Sequence, residues 1–231
     1  YAQQENASAI LLTINTPGGL ATSMRDINQT ILASNIPVLG FVYPKGARAA
    51  SAGTFILYAS HLAAMAPATN LGAATPVAIG ISGALGDKKL SPQMNKAQQD
   101  ATASIVALAQ TNHRNVDFAK AAVLEGASIT AQSALEQGVI NFIADNPQQA
   151  LEKAQNRTYY LKEKPQTFTT PSPKIETYAK TWRIRFLETI TNPNIAYLLL
   201  IVGFWAVVIE ITHPGLLLPG LLGIVSLLVG L

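Results

Sequence analysis

The stretch Gly46-Ala47-Arg48-Ala49-Ala50-Ser51-Ala52-Gly53-Thr54 decides the fold prediction. It follows the apolar run Val38 to Tyr43, which is typical of a buried strand and is closed by Pro44. The apolar residues Phe55 to Ala59 come after it and predict a helix. Ser51 is therefore expected at a strand-to-helix turn, close to a helix N-terminus, with small residues on both sides.

A serine in this position suits nucleophilic chemistry. The amides and the dipole at a helix N-terminus stabilise negative charge. Such charge develops on the substrate oxygen when a serine attacks a carbonyl. The alternative is that small residues at a helix start only permit close packing, and these nine residues do not exclude it.

The composition restricts the class of protein. Of the 231 residues 49% are apolar and 13% charged, about half the usual charged share. The net charge is +3, and no basic cluster with interleaved aromatics points to nucleic acid. Without cysteine there is no disulfide, thiol nucleophile or Cys-ligated metal, and we expect neither a metal nor a cofactor. The chain starts at Tyr1 without a signal-like segment and ends inside an apolar run, so we expect a fragment trimmed at both ends.

Strand and helix patterns alternate in the first part of the chain. Ala9 to Ile14 predicts a buried strand, Leu20 to Ala33 an amphipathic helix, and Ala63 to Pro67 a third strand after the Ser51 helix. This order implies a parallel sheet with helices packed on it. Further helices are predicted over residues 93–111, 116–124, 130–138 with Thr130 as N-cap, and 147–154, and a short strand over 139–144. Residues 69–81 are interpreted as a substrate-facing loop and residues 82–92 as a mobile loop.

The C-terminal part changes character. We expect a protease-like domain over 1–155, a linker with an amphipathic segment over 156–190, and the start of a membrane region over 191–231. Residues 178–190 predict a helix at a membrane surface, or an ordinary surface helix. The apolar runs 195–209 and 216–231 predict two adjoining spans or a hairpin around Pro214, although each is shorter than the ~20 residues that a span needs. Glu210 is then a buried functional acid or, in the simpler interpretation, an interfacial carboxylate.

A second turn completes the candidate site. Asn15-Thr16-Pro17-Gly18-Gly19 lies between the first strand and its helix. Amides from Gly18 or Gly19, together with the Ala52 amide, would converge on one oxygen and form an oxyanion hole. Alone, the Pro-Gly-Gly sequence is equally a tight turn.

The serine also needs a base. His61, His113 and His213 are not obvious partners, because His61 lies down the same helix and the others lie far along the chain. A lysine in a closed site serves instead when burial keeps it uncharged. Lys96 is the preferred candidate, at the start of a long helix, and its rivals are Lys45, Lys88 and Lys89.

Several separated segments resemble one family. They are Ile14 to Leu20, Pro44 to Thr54, Met65 to Ala74, Ser128 to Ala131, Gly138 to Ile140, Asn192-Pro193 and the apolar runs around Pro214-Gly215. Together they resemble the membrane-bound ClpP-class serine proteases of the NfeD family. The resemblance implies a ClpP/crotonase-like α/β fold of repeated β-β-α units, followed by transmembrane helices.

The same resemblance implies a mechanism. Ser51 matches the nucleophile, Lys96 the dyad lysine, and Gly18, Gly19 and Ala52 the oxyanion positions. Gln99-Asp100 departs from the Asn-Asp that we expect after the lysine. In soluble ClpP the triad histidine lies in a segment like Pro67 to Pro76, where the matching residue is Ala74, so a Ser-His-Asp triad is absent.

The resemblance also implies partners and a location. The expected substrates are apolar segments of membrane proteins, notably stomatin-like proteins, in a bilayer and with a homodimer or higher homo-oligomer as the working assembly. The family places the protease domain outside the cytoplasm, whereas Lys174, Lys180, Arg183 and Arg185 before the first span favour the opposite orientation. The family also implies a signal peptide and a strand before Tyr1.

Three other functions stay open. One is a catalytically silent membrane scaffold that binds stomatin-like proteins. Another is a signal-peptide-peptidase-like protease whose lysine lies elsewhere in the chain. The third is an acyl-CoA-processing crotonase, against which the serine at the nucleophile turn argues.

Overall fold

The computed structural model describes residues 2, 4–77, 92–170, 174–178, 182–190, 193–213 and 218–230. The chain divides into two compact units, Tyr1–Lys174 and Ile175–Leu231. Residues 82–91 of the mobile loop predicted over 82–92, and residues 214–217, lie outside the described part.

The first unit is built from short strands and helices in alternation. Its strands are β1 (Ile10–Ile14), β2 (Val38–Val42), β3 (Arg48–Ala49), β4 (Leu62–Met65), β5 (Asn70–Gly72), β6 (Ser128–Thr130), β7 (Phe142–Ile143), β8 (Thr158–Leu161) and β9 (Lys164–Thr167). Its helices are α1 (Ala21–Ala33), α2 (Ala52–Ala59), α3 (Pro92–Thr111), α4 (Val116–Leu124), α5 (Ala131–Glu136) and α6 (Pro147–Ala154).

The central sheet is parallel, as the sequence order predicts. Its strand order is β1-β2-β4-β7, with Leu12 opposite Gly40 and Gly40 opposite Ala63. A second sheet, β3-β5-β6, lies beside the Ser51 turn and pairs β3 with β5 in parallel. The sequence pattern did not reveal its strands, because two or three residues are too few to establish a period.

Both faces of the central sheet are covered, which explains the unbroken apolar runs. In β2, Val38 and Val42 pack into the core on the side of α1 to α5, whereas Leu39 and Phe41 pack on the opposite side. Successive strand residues point to opposite faces, so a strand buried on both sides has no polar positions. All five residues of β2 are buried.

A buried arginine secures the C-terminal end of α2, the helix that begins after Ser51. Arg114 Nη1 donates hydrogen bonds to the carbonyl oxygens of Leu57 at 3.1 Å and Tyr58 at 2.7 Å, and Asn112 Nδ2 donates to Tyr58 O at 2.8 Å. Carbonyls in the last turn of a helix lack the usual intrahelical amide donors, although the Leu57 oxygen also accepts the Ser60 amide at 3.3 Å. A cation is favourable at this end of a helix. Burial lowers the pKa of Arg114 to about 10, and the nearby Tyr58 partly opposes the shift.

The predicted linker from residue 156 contains more structure than expected. Strands β8 and β9 form a hairpin. Its Tyr159 and Leu161, and Phe168 just beyond it, are buried in the core on the β2 face that carries Leu39 and Phe41. The first compact unit therefore continues past residue 155, to Lys174.

The second unit contains α7 (Trp182–Ile190), α8 (Pro193–Thr212) and α9 (Leu218–Gly230). Residues Asn194–Thr212 form a helix of 19 residues with mean hydropathy 2.3, long and apolar enough to cross a membrane. Helices α8 and α9 pack closely through small residues: a β-carbon at Gly203 would lie 2.9 Å from Gly223 O, and Ser226 Oγ donates to Leu199 O at 2.9 Å. The Glu210 carboxylate accepts from the Gly220 amide at 3.4 Å, in the first turn of α9, where negative charge is favourable.

Candidate active site

Ser51 occupies the predicted strand-to-helix turn. It follows β3 and immediately precedes α2, with φ 51° and ψ −116°. A positive φ is uncommon for a residue other than glycine and often marks a functional site. The Ser51 amide donates to Ala73 O at 2.6 Å, which fixes the turn against the segment after β5. Ser51 is half-buried, so its hydroxyl lies at the surface of the core.

The Pro17-Gly18-Gly19 turn lies directly against this serine. A β-carbon at Gly18 would be 2.9 Å from Ser51 Cβ and 3.2 Å from Ser51 Oγ, and the φ of Gly18 is +142°. A β-carbon at Gly19 would be 3.9 Å from Ala52 Cβ. The two turns that the sequence singled out are therefore brought together, although Gly18 and Ser51 are far apart in the chain.

The amides of these turns fall into two groups. The Gly18 amide donates a hydrogen bond to Thr16 Oγ1 at 3.1 Å, and the Ser51 amide donates one to the Ala73 carbonyl oxygen. In contrast, the amides of Gly19 and Ala52 have no hydrogen-bond acceptor among the residues that the structure describes. Of the three predicted oxyanion positions, Gly19 and Ala52 thus have amides available for a ligand, whereas the Gly18 amide is already occupied.

An apolar cavity of about 300 Å³ adjoins these amides. Its wall includes Gly18, Gly19 and Ala52 and the apolar side chains Leu12, Ile14, Leu20, Met24, Ile27 and Ile56. The sequence interpretation placed the apolar substrate contacts in residues 69–81 instead. In the described part of that loop, Leu71 and Ala74 are buried in the core and Val77 is exposed.

The histidines have other roles. His61 is buried near the far end of α2, where its Nδ1 accepts the Val38 amide at 3.0 Å. Burial lowers the pKa of His61 to about 4, and the nearby Arg114 adds to the shift. The His113 ring stacks on Tyr160 at 3.9 Å between centroids. Ala74 is the neighbour of Ala73, whose carbonyl contacts Ser51, so the position that holds histidine in soluble ClpP has no imidazole here.

The candidate lysines differ in their surroundings. Lys96 is exposed on α3, and no hydrogen bond or ion pair joins it to Ser51 within the described part of the chain. Lys45 forms an ion pair with Asp145 at 3.1 Å. Lys88 and Lys89 lie outside the described residues. The assignment of Lys96 as the catalytic base therefore stays a prediction.

An exposed ion pair links the first half of α3, which carries Lys96, to α1. Asp100 lies one turn after Lys96 on the same face of the helix. Asp100 forms an ion pair with Arg25 of α1, and the preceding residues of α1, Ser23 and Met24, line the apolar cavity. The first half of α3 therefore lies near α1, and the Lys96 side chain itself is exposed.

Sequence reasoning missed two contributors to the site, the Thr16 hydroxyl and the Ala73 carbonyl. A threonine two residues before a glycine is a signal for a side-chain turn, so the first was accessible from the sequence. The second depends on how the chain returns after β5. In the described ranges, no group of three or more His, Asp or Glu side chains is arranged to hold a metal.

Two family profiles match the chain. Residues 1–161 match the NfeD1b N-terminal domain, and residues 194–231 match the NfeD integral membrane domain. The first match alone covers more than half of the chain, and the second confirms a membrane protein family.

Two curated relatives match nearly the full chain. Membrane-bound protease PH1510 of Pyrococcus horikoshii is 36% identical over 232 residues, which cover 100% of this chain and 52% of the relative. Membrane protein NfeD1b of Bacillus subtilis is 31% identical over 241 residues, covering 98% of this chain and 49% of the relative. The chain therefore spans about half the length of the curated relatives it matches.

Solved structures confirm the fold. A lysine-to-alanine mutant of the 1510-N membrane-bound stomatin-specific protease, in complex with a substrate peptide, superposes with TM-score 0.75 at 34% identity, covering 83% of this chain and 86% of that one. A serine-to-alanine mutant of that protease gives TM-score 0.69 at 35% identity, covering 78% and 86%. The chain thus has the predicted ClpP-like α/β fold followed by an apolar helical region, and it belongs to the NfeD family.

Proposed function

We propose that this chain is a membrane-anchored serine endopeptidase with Ser51 as the nucleophile and Lys96 as the base. The observation that carries the proposal is the junction of the two turns. It joins a serine hydroxyl at the N-terminus of α2 to two neighbouring amides, of Gly19 and Ala52, that have no acceptor in the described part of the chain. The helix dipole and such amides stabilise an oxyanion.

The reaction runs in two halves. Neutral Lys96 takes the Ser51 proton while Oγ bonds to the peptide carbonyl carbon, and the oxyanion accepts hydrogen bonds from Gly19 and Ala52. Collapse breaks the carbon–nitrogen bond, and the lysine proton passes to the leaving amine. Water then attacks the Ser51 ester, giving up its proton to Lys96, and the acid is released with the serine hydroxyl restored.

The choice of Lys96 as the base rests on its match to the dyad lysine of the family that the chain resembles. In the structure Lys96 is exposed on α3. Lys45 is less suitable because its amine is paired with Asp145 at 3.1 Å. In the 1510-N structures, the proteins bear lysine and serine substitutions.

The proposed substrates are apolar segments of stomatin-like membrane proteins. The cavity beside Gly19 and Ala52 is lined by aliphatic side chains from β1, α1 and α2, which favour an apolar substrate residue. The 1510-N relative is described as specific for a stomatin homologue. We also propose a homodimer or higher homo-oligomer, and that no nucleic acid takes part.

The protease unit is proposed to lie outside the cytoplasm, with α8 in the bilayer. The NfeD membrane domain supports the anchor. The basic residues before α8 favour the opposite orientation, so the topology needs its own measurement. The chain has no cysteine, and Lys120→Cys places one on an exposed helix position. Labelling of this variant by an impermeant maleimide in intact cells supports the proposed side, and labelling only after lysis contradicts it.

Hydrolysis of a peptide from the apolar C-terminal region of a stomatin-like protein tests the enzyme. The full chain in detergent is expected to cleave it, Ser51→Ala to bind it without cleavage, and the exposed-site control Ser128→Ala to cleave it normally. Binding without cleavage by the wild-type chain would favour the scaffold function instead. The name of the Bacillus subtilis relative, a membrane protein rather than a protease, keeps this second candidate relevant.

A further inference from the structure

The Thr16 side chain touches both halves of the candidate oxyanion hole. Its hydroxyl accepts the Gly18 amide at 3.1 Å and donates to the Gly18 carbonyl at 2.8 Å. Both peptide groups of Gly18 are therefore held by one side chain. Because rotation of these peptides is what would turn the neighbouring Gly19 amide, the hydroxyl fixes the direction of that amide.

The methyl group of Thr16 contacts the helix on the other side. A β-carbon at Gly53 would lie 2.7 Å from Thr16 Cγ2, so the methyl packs directly on the first turn of α2, beside Ala52. The Thr16 backbone is also tied to the strand that leads to Ser51. Its amide donates to Arg48 O at 2.8 Å, and its carbonyl accepts the Ala50 amide at 3.1 Å.

From these contacts we propose that Thr16 is a positioning residue for the oxyanion hole. Its hydroxyl occupies the Gly18 amide and leaves the Gly19 amide to act with that of Ala52. Its backbone hydrogen bonds to Arg48 and Ala50 hold the start of the turn near Ser51. This inference rests on the proposed peptidase function. Thr16 also lines the cavity, but the positioning role belongs to its hydroxyl, whose hydrogen bonds both go to Gly18.

The expected effect follows from the strength of oxyanion donors. Removal of one such donor lowers kcat about 10²- to 10³-fold. A donor that is present but points in the wrong direction is expected to lower kcat by a smaller factor. Thr16→Val keeps both branches at Cβ and loses only the hydroxyl, so kcat is expected to fall about 10- to 100-fold. KM is expected to change by less than about threefold, because the oxyanion forms only after the substrate is bound.

The experiment uses the full chain and four proteins: wild type, Thr16→Val, Thr16→Ser and Thr130→Val. Thr130 is the matched control, because its hydroxyl also accepts a backbone amide, that of Ser133 at 3.3 Å, but it lies at the start of α5. Thr16→Ser retains the hydroxyl and is expected to recover kcat to within about threefold of wild type. Thr130→Val is expected to lower the melting temperature without lowering kcat.

A peptide aldehyde distinguishes positioning from general damage. Ser51 Oγ adds to the aldehyde carbon and the hydroxyl proton leaves to the base, so the former carbonyl oxygen occupies the oxyanion hole. The inhibition constant of Thr16→Val is expected to rise by the same factor as kcat falls, with unchanged binding of the uncleaved peptide. If Thr16 only stabilised the fold, the inhibition constant of the aldehyde and kcat would not change by the same factor.

The results of these experiments distinguish the positioning role of Thr16 from the proposed peptidase function. If the wild-type chain hydrolyses peptides and Thr16→Val keeps kcat within about twofold, the positioning role is wrong and the peptidase stands. If the wild type neither hydrolyses peptides nor binds the aldehyde, both are overturned. Should Thr16→Val fail to fold, Thr16→Ala and Thr16→Ser decide, because both lack the methyl and only Thr16→Ser keeps the hydroxyl. A kcat more than about threefold lower in Thr16→Ala than in Thr16→Ser supports the hydroxyl role, and values within about threefold contradict it.

Discussion

Gly18 faces Ser51 so closely that a β-carbon on the glycine would lie 2.9 Å from the β-carbon of the serine. Real β-carbons do not approach each other to this distance, so either the turn or the serine must move when residue 18 has a side chain. The position also has a φ of +142°, which glycine tolerates and other residues do not. The contact and the positive φ explain the glycine at position 18.

Gly18→Ala is therefore expected to lower kcat by about 100-fold, the effect of a displacement of about 1 Å at a reacting centre. Gly138→Ala is the matched control. Gly138 also has a positive φ, +70°, but no atom lies within 4 Å of a β-carbon placed there. The control is expected to lose about 1 kcal/mol of stability and to keep its activity. Steady-state peptide hydrolysis and thermal unfolding of both variants check this, and equal activity losses would contradict it.

Lys96→Ala is expected to lower kcat by about 10² to 10⁴, the usual contribution of a general base. Lys96→Arg is expected not to restore activity, because a guanidinium stays protonated. The control is Lys45→Ala, whose amine is paired with Asp145. Retained activity in Lys96→Ala, measured by peptide hydrolysis across pH, would remove Lys96 from the dyad.

The stability of the first unit is expected to depend on pH through His61. Its pKa is about 4 in the folded chain and 6.5 when unfolded, so between these values the unfolded chain binds more protons. Stability is then full above pH 6.5 and falls as the pH decreases toward 4, by at most about 3 kcal/mol.

The variant His61→Gln keeps a hydrogen-bond acceptor for the Val38 amide and does not titrate. Urea unfolding in detergent, followed by circular dichroism from pH 4 to 7, should give it a flatter pH dependence than wild type. His113→Gln, which removes an exposed ring, is the control. Parallel curves for wild type and His61→Gln would show that His61 is not the group responsible.

A double cysteine variant tests the packing of α8 and α9. Ser226 Oγ donates to Leu199 O at 2.9 Å, so Leu199→Cys with Ser226→Cys should form a disulfide on mild oxidation in membranes. The natural chain has no cysteine that would compete. Leu199→Cys with Leu228→Cys is the control pair, because the Leu228 side chain is exposed. Equal crosslinking of the two pairs, measured by thiol labelling after oxidation, would argue against this packing.

Elements marked by a local pattern of apolar or capping residues were predictable from the sequence. The apolar run from Val38 became a parallel strand buried on both faces, and residues 116–124 and 147–154 form helices with the predicted bounds. Thr130 caps its helix as expected, through the Ser133 amide. In each case the residues of the element itself were enough to predict its type and bounds, because burial and capping leave patterns in neighbouring residues.

The β8–β9 hairpin shows where local patterns fail. Its turn residues Lys162 and Glu163 have φ values of 51° and 64°, a conformation that hairpin turns usually reach with asparagine or glycine. Charged residues at these positions gave no turn signal, and Pro165 argued against a strand. The core contacts of Tyr159 and Phe168 decided the structure instead.

The candidate site was predictable in part for the same reason. Each turn, at Gly18 and at Ser51, has its own signal in glycine and small residues, but their contact depends on how β1 and β3 are arranged. The relation of Lys96 to Ser51 is set by tertiary structure across 44 intervening positions, which no period encodes. Arg25 and Asp100 are 75 residues apart in the sequence, and their pairing likewise had no sequence signal.

Reaction with a fluorophosphonate probe tests most directly whether Ser51 is an activated nucleophile. The full chain in detergent is treated with the probe, and the modified residue is located by mass spectrometry of its peptides. We expect one stoichiometric adduct on Ser51, absent in Ser51→Ala and suppressed by a peptide aldehyde. An unmodified Ser51 in a chain that cleaves peptides, or an adduct on another serine that accounts for the activity, would contradict the account.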